Sequence, residues 1–284
     1  MKFLMIVPVH NHVEFLNFQL SAFFKFYPEL HICLSVNKEN ELDFSQLIEH
    51  SNLHINPTRI FSSRYDVFSG MANAFEYMQN KMDFDYVILH SSSALPLFDG
   101  MLDRIETSGN YAGFVEYDLG DHHSFITTAD EIYYAISQHL NITDHTSGVW
   151  EGSYYKRELF DEILKNVKQF YPNIYEDDRP IYGRYPMKEE LYFHNIAKKL
   201  LNNQRIGHGL TDVKNLFGVS HISRTSMEHF LNLPNYQIEN LNENKKYFNY
   251  KYCIGSETFF DARDLKQNKI AQFLTYLGRI DKGL

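Results

Sequence analysis

From Phe3 to Val9 every side chain is apolar, and the polar triplet His10-Asn11-His12 follows at once. A short unbroken run rich in β-formers predicts a strand over 2–9, buried on both faces as in the middle of a parallel sheet. Over 13–26 (VEFLNFQLSAFFKF) apolar positions recur at helical spacing, and Pro28 ends the pattern. His31–Val36 reads as a second strand, 43–50 as a short helix and Leu53–Ile55 as a third strand. Residues 66–82 predict a second long helix, with Asp66 or Ser69 as its cap. Tyr86–His90 (YVILH) is another buried strand. Strand and helix alternate as βαβαβαβ, which predicts a parallel sheet with right-handed crossovers.

The second half is less regular. Tyr111–Tyr117 reads as a strand, 128–139 as a helix, Trp150–Tyr155 as extended, 156–170 as a helix and 187–201 as another. A polar, aromatic and Pro-rich loop fills 171–186, and a closing helix is expected near 264–279. No repeat, linker or low-complexity stretch divides the 284 residues. The expectation is one α/β domain with a mostly parallel sheet flanked by helices. Its nucleotide-binding half is 1–125, and its acceptor-binding and catalytic half is 126–284.

Composition narrows the classes. A hydrophobic fraction of 44% supports a substantial core. A chain of this size buries roughly three quarters of its unfolded surface without staples. The two cysteines, Cys33 and Cys253, lie in apolar contexts and read as buried free thiols, which fits a reducing compartment. A net charge of −9 argues against a nucleic-acid partner, since phosphate-backbone binders are normally basic. The opening apolar run is too short to cross a membrane and lacks the features of a signal peptide. A cytoplasmic location is expected, at most at the inner membrane face, with peripheral contact through the acceptor.

In an open parallel sheet, ligands bind beyond the carboxyl ends of the strands. The residues there are Val9, His10 and Asn11 after the first strand, Asn37 after the second, and Ser91-Ser92-Ser93 after Tyr86–His90. No G-x-G-x-x-G follows strand one and no P-loop occurs, so a dinucleotide site of the usual kind and P-loop chemistry are excluded. There is no H-E-x-x-H, no C-x-x-C and no G-x-S-x-G. Serine hydroxyls are poor ligands for Mg²⁺ or Mn²⁺, which need charged oxygens. The Ser triplet reads either as a loop that approaches phosphate or ribose closely, or as an ordinary polar turn.

Three segments, in order along 60–200, give a distant resemblance to the family 14 glycosyltransferases, the core-2 and I-branching N-acetylglucosaminyltransferases and xylosyltransferases. The first is Arg64–Phe98, whose Leu89-His90-Ser91-Ser92-Ser93-Ala94-Leu95-Pro96-Leu97 is similar to that family's "LSGxDYPL", with Ser93 or Ala94 where the family has Asp. The second is Gly152–Phe160 (GSYYKRELF), similar to its "G-S-x-x-[FV]-x-x-S-R-E". The third is Lys188–Phe193 (KEELYF), similar to its "P-D-E-x-[FL]", whose Glu is the catalytic base.

The resemblance implies a GT-A fold and an inverting hexosyl- or N-acetylhexosaminyltransferase that uses a nucleotide-sugar donor, weighted towards UDP. The acceptor would be a hydroxyl of a glycan or glycolipid, as in bacterial surface polysaccharide or lipopolysaccharide synthesis. It aligns Glu190 with the base and Glu189 second. Both also read as first-turn glutamates favoured by the helix dipole. It further implies that no metal is required, positive side chains taking the diphosphate instead. The candidates are Arg179, Arg184, Arg224 and Lys245, with Arg64 towards ribose or base. Trp150, Glu151, Tyr154 and His122 are the expected acceptor contacts, Trp150 and Glu151 reading equally as a core Trp and a strand-end Glu; residues 202–284 lie beyond the resemblance, and closure over the donor is a role open to them. Two alternatives stay open: a carbohydrate- or nucleotide-binding protein without catalysis, and a metal-dependent transferase using Asp118, Asp121 or His122.

Overall fold

The computed structural model describes residues 1–9, 13–41, 43–62, 67–92, 94–96, 100–109, 111–118, 130–176, 188–202, 211–212 and 249–251. Among these, nine strands and six longer helices follow one another. They are β1 (Phe3–Val9), α1 (Val13–Phe26), β2 (His31–Val36), β3 (Leu53–Ile55), α2 (Phe68–Gln79), β4 (Tyr86–Leu89), β5 (Ala94–Pro96) and α3 (Met101–Ser108). After these come β6 (Tyr111–Asp118), α4 (Glu131–Leu140), β7 (Thr146–Lys156), α5 (Arg157–Phe170), α6 (Lys188–Leu200), β8 (Thr211–Asp212) and β9 (Asn249–Lys251).

The main sheet has the order β3-β2-β1-β4-β7-β6. β1 pairs in parallel with β2 on one side and β4 on the other, and β2 pairs in parallel with β3. β7 runs antiparallel to both β4 and β6, so β6 points the same way as β4. The expected mostly parallel α/β sheet is what the chain forms. One reversed strand is built from the segment that sequence marks only as extended. All seven residues of β1 are buried, which explains its lack of alternation.

Strand order reverses between β1 and β4. With right-handed crossovers, α1 and α2 therefore fall on opposite faces. On the α2 face, Leu4, Ile6, Cys33, Val87, Leu89 and Tyr155 meet α2, α4, α5 and α6 in one cluster. Aromatic rings join the helices there: Phe75–Phe160 at 4.6 Å, Phe68–Phe193 at 4.6 Å and Phe160–Phe193 at 5.0 Å between centroids. Fully burying each such ring is worth about 1.5–3 kcal/mol, so this seam fixes the three helices on the sheet. Gly70 lets α2 approach β2, because a Cβ there would stand 2.7 Å from Ser35 Oγ.

Two local expectations are corrected. The helix proposed over 43–50 is a single 3₁₀ turn, Phe44–Gln46. Asp43 accepts from the Ser45 amide at 3.0 Å and takes Ser45 Oγ and Gln46 Nε2 as well, a turn-forming set that competes with helix. Helix α2 is not capped by Ser69, which lies inside it. Its N-cap is Val67, with no side-chain cap of its own. β5 and α3 carry no expectation from sequence. β5 pairs antiparallel with β9, and β9 parallel with β8, in a small second sheet. That sheet brings residues 249–251 beside the segment that follows β4. Asp66, Cys253 and the closing helix near 264–279 lie outside the described residues. Cys33 is buried and free, as expected.

Candidate functional site

The switch point of the sheet lies at the carboxyl ends of β1 and β4, where open α/β folds bind their ligands. Side chains from neighbouring elements hold both strand ends. The Val9 carbonyl accepts Asn40 Nδ2 at 3.3 Å. The Ser91 carbonyl accepts Gln19 Nε2, from α1, at 2.6 Å, with His90 Nδ1 also 3.0 Å away. His90 is itself buried, edge-on to Phe23 at 4.7 Å. The turn that opens with Ser91 and Ser92 is thus fixed at its root before it leaves the sheet.

Next to β4, strand β7 is broken by an irregularity. Between the pairs Ala112–Tyr154 and Phe114–Val149, β6 advances from 112 to 114 while β7 spans 149 to 154. The surplus residues of β7 form a bulge at Trp150-Glu151-Gly152-Ser153. Gly152 sits at φ 76°, a left-handed conformation that suits glycine. Ser153 Oγ closes the bulge on the Trp150 carbonyl at 2.6 Å. Bulges re-aim side chains beside active sites. Here the bulge keeps Glu151 only 4% exposed, past the Ile88–Tyr154 pair and towards the carboxyl end of β4. Beyond it, burial pushes the Tyr155 phenol well above its ordinary range, against a Ser153 hydrogen bond that lowers it.

Helix α6 is held against the same strand. Asn195 pins this helix to the first residue of β7. Its Oδ1 accepts the Thr146 amide at 2.9 Å, while its Nδ2 donates to the Thr146 carbonyl at 2.7 Å and the Leu191 carbonyl at 2.9 Å. Lys188 Nζ lies 4.9 Å from the Tyr171 ring centroid. Glu189 is buried, and its Oε2 accepts the Val67 amide at 3.3 Å. Glu190 is the more accessible of the two glutamates. Both sit in the first turn of α6, where the helix dipole favours their charged forms.

Several expected site residues take on definite structural roles. Asn37 has its side chain committed to the protein: Oδ1 accepts the Glu39 and Ser62 amides and Nδ2 donates to the Ser62 carbonyl. It fastens the loop after β2 to the loop after β3, reinforced by the Asn37–Ile60 bridge. That makes Asn37 an organiser of the two loops. Tyr154 faces the interior, paired with Ile88 and edge-on to Tyr86 at 6.4 Å, and its ring is not presented to an acceptor. Trp150 belongs to the core cluster on the α2 face. Val9 ends β1, Ser91 and Ser92 follow β4, Glu151 lies in the β7 bulge, and Glu189 and Glu190 open α6. His10, Asn11, Arg64, Ser93, His122, Arg179, Arg184, Arg224 and Lys245 lie outside the described residues.

Gln19, Asn40 and Asn195 escaped the sequence reading. Gln19 and Asn195 did leave a signal, since each is a polar residue set within the apolar stripe of a helix. Among the described residues no three His, Cys, Asp or Glu side chains are grouped so as to hold a metal ion. Asp121, His122 and His123 lie outside them. No helix among the described residues is long and apolar enough to cross a membrane.

No protein-family model matches the chain, and no curated protein matches it. Among solved structures, the chain is similar to the mannosyltransferase PcManGT from Pyrobaculum calidifontis, in complex with GDP-Man and Mn²⁺, at 14% identity and a TM-score of 0.36. That likeness covers 57% of this chain and 46% of that one, so the chain spans less than half of the mannosyltransferase. It is also similar to an active-site mutant of LgtC, at 12% identity and a TM-score of 0.43, covering 98% of this chain and 96% of that one. The galactosyltransferase LgtC with donor and acceptor sugar analogues gives 12% identity and a TM-score of 0.40 over the same shares. With TM-scores below 0.5, these likenesses do not assign this chain's chemistry.

Proposed function

We propose that the chain is a GT-A type glycosyltransferase that moves a sugar from a nucleotide-sugar donor to a hydroxyl of a glycan or glycolipid. The observation that carries this reading is a convergence. The three segments that resemble family 14 motifs are far apart in sequence, yet they adjoin one another in the fold. The first leaves the end of β4, the second crosses from the β7 bulge into α5, and the third opens α6. β4 pairs with β7, and Asn195 bonds α6 to β7.

The donor lies at the switch point, with its diphosphate beside the turn at Ser91 and Ser92. Glu190 takes the proton of the acceptor hydroxyl as its oxygen attacks the anomeric carbon, and the bond to the nucleoside diphosphate breaks. Glu151, held by the bulge, hydrogen-bonds the acceptor. Transfer proceeds with inversion and without a metal, positive side chains neutralising the leaving diphosphate. Pairing of β9 with β5 supports a C-terminal segment that reaches the donor loop.

Thermal unfolding across a panel of nucleoside diphosphates and nucleotide sugars, with and without EDTA, tests the reading. One nucleoside diphosphate should raise Tm equally in both conditions, since a ligand that binds only the native state stabilises it. Glu190→Gln should keep that shift and lower kcat by about 100- to 10,000-fold. A shift abolished by EDTA moves the reading to a metal-dependent transferase. Binding without turnover in the unaltered protein moves it to a non-catalytic binding protein.

A further inference from the structure

Helix α2 begins without a cap from its own neighbourhood. Val67, at the N-cap position, has helical angles (φ −105°, ψ −2°) and a side chain that cannot accept a hydrogen bond. Its carbonyl already closes the first turn by accepting the Met71 amide at 3.0 Å. The Val67 amide would be an orphan donor at the positive end of a helix dipole. The carboxylate of Glu189 accepts it, from 122 residues further along the chain. Glu189 is 1% exposed, and the contact is walled by rings: Phe68 meets Tyr192 at 5.2 Å and Phe193 at 4.6 Å. The carboxylate therefore lies at the starts of two helices at once.

We infer that Glu189 is a positioning residue, which caps α2 in trans and thereby fixes the first turn of α6 and the aim of Glu190. The inference rests on the proposed transfer reaction and separates the two adjacent glutamates. Glu190 is the more accessible of the two, whereas the buried Glu189 carboxylate accepts the Val67 amide. A carboxylate accepting an amide makes a charge-assisted bond, stronger than a neutral one. A neutral amide oxygen at the same place still accepts, but more weakly, and a methyl group does not.

The test compares unaltered protein, Glu189→Gln, Glu189→Ala and Glu190→Gln in two measurements. The first is transfer kinetics against pH. Glu189→Gln should lower kcat by about threefold, with the donor KM and the pH profile unchanged. Glu189→Ala should lower kcat by about 100-fold through misplacement of the base, again with the pH profile kept. Glu190→Gln alone should lose the acidic limb of the profile. If Glu189→Gln also loses that limb, Glu189 is the base and the inference is overturned. If Glu189→Ala keeps full kcat, nothing is being positioned.

The second measurement is amide hydrogen exchange at Val67 and Phe68, which needs no turnover. Exchange should quicken about tenfold in Glu189→Ala and stay near that of the unaltered protein in Glu189→Gln. Unchanged exchange in Glu189→Ala removes the trans cap, whatever the kinetics. Absence of transfer in the unaltered protein, with exchange behaving as expected, sinks the functional reading and leaves the cap standing. Should Glu189→Ala fail to fold, Glu189→Gln still decides between cap and base.

Discussion

Replacing Asn195 by alanine strands the amide and carbonyl of Thr146 inside the protein, together with part of the bonding of Leu191. Each buried backbone group left without a partner costs about 1–3 kcal/mol. Asn195→Ala should therefore lose about 3 kcal/mol, seen as a lower denaturant midpoint with an unchanged slope. A loss below about 0.5 kcal/mol would mean that water reaches Thr146 and that α6 is not pinned as described. At this scale sequence reveals residue types better than their tasks. Glu189 and Glu190 are indistinguishable as letters, because both begin a helix. The Val67 amide, which the Glu189 carboxylate accepts, is what separates a clamp from a candidate base. Asn37 shows the same limit: its place after a strand suits a ligand contact, and only the fold shows that its side chain also ties down the loop at Ser62.

Elements were more legible. β1, α1, β2, β3 and β4 carry their own signals, a solid apolar run or a helical stripe, and form within a residue or two of where those signals lie. Helix α3 was missed because its eight residues, MLDRIETS, bury only three apolar side chains, Met101, Leu102 and Ile105. The direction of β7 was missed because strand sense is set by its partners, not by its own composition. Between β2 and β3 a further interaction appears, His31 Nδ1 lying 3.1 Å from His54 Nε2 with the rings stacked.

Burial is the main cause that lowers both imidazoles below the ordinary 6.5, with Lys2 and His50 adding for His31, and His31 and Lys81 for His54. The unfolded chain then binds protons more readily than the folded one, so the pair favours folding above about pH 6.5. That contribution fades as pH falls through the lowered folded values. Tm should drop more steeply from pH 7 to pH 5 in the unaltered protein than in His54→Asn. Equal slopes would show that the pair does not carry the effect.

Across the whole molecule, the sheet and its faces follow from the alternation of elements, and the switch point follows from the strand order. What sequence could not give is the closeness of the three motif segments, which depends on β7 entering between β4 and β6. Cys33 offers a test of how tightly this assembly holds. Its thiol is fully buried on a central strand, and burial pushes its pKa up to about 12. In a Cys253→Ser background, a thiol reagent should label Cys33 only as fast as the protein unfolds globally. Rapid labelling under native conditions would place Cys33 outside a stable core.

The reversed strand also bears on how the chain is made. β3, β2, β1 and β4 are complete once residue 89 has been synthesised, but the partner of β4 ends at residue 156. At about 5–20 residues per second, the ribosome needs about 3–13 s to supply it. Through that interval the nascent sheet carries β4 as an open edge, with unpaired amides and carbonyls ready to template another strand. The vulnerable moment in this protein's life is therefore on the ribosome, and residues 146–156 end it.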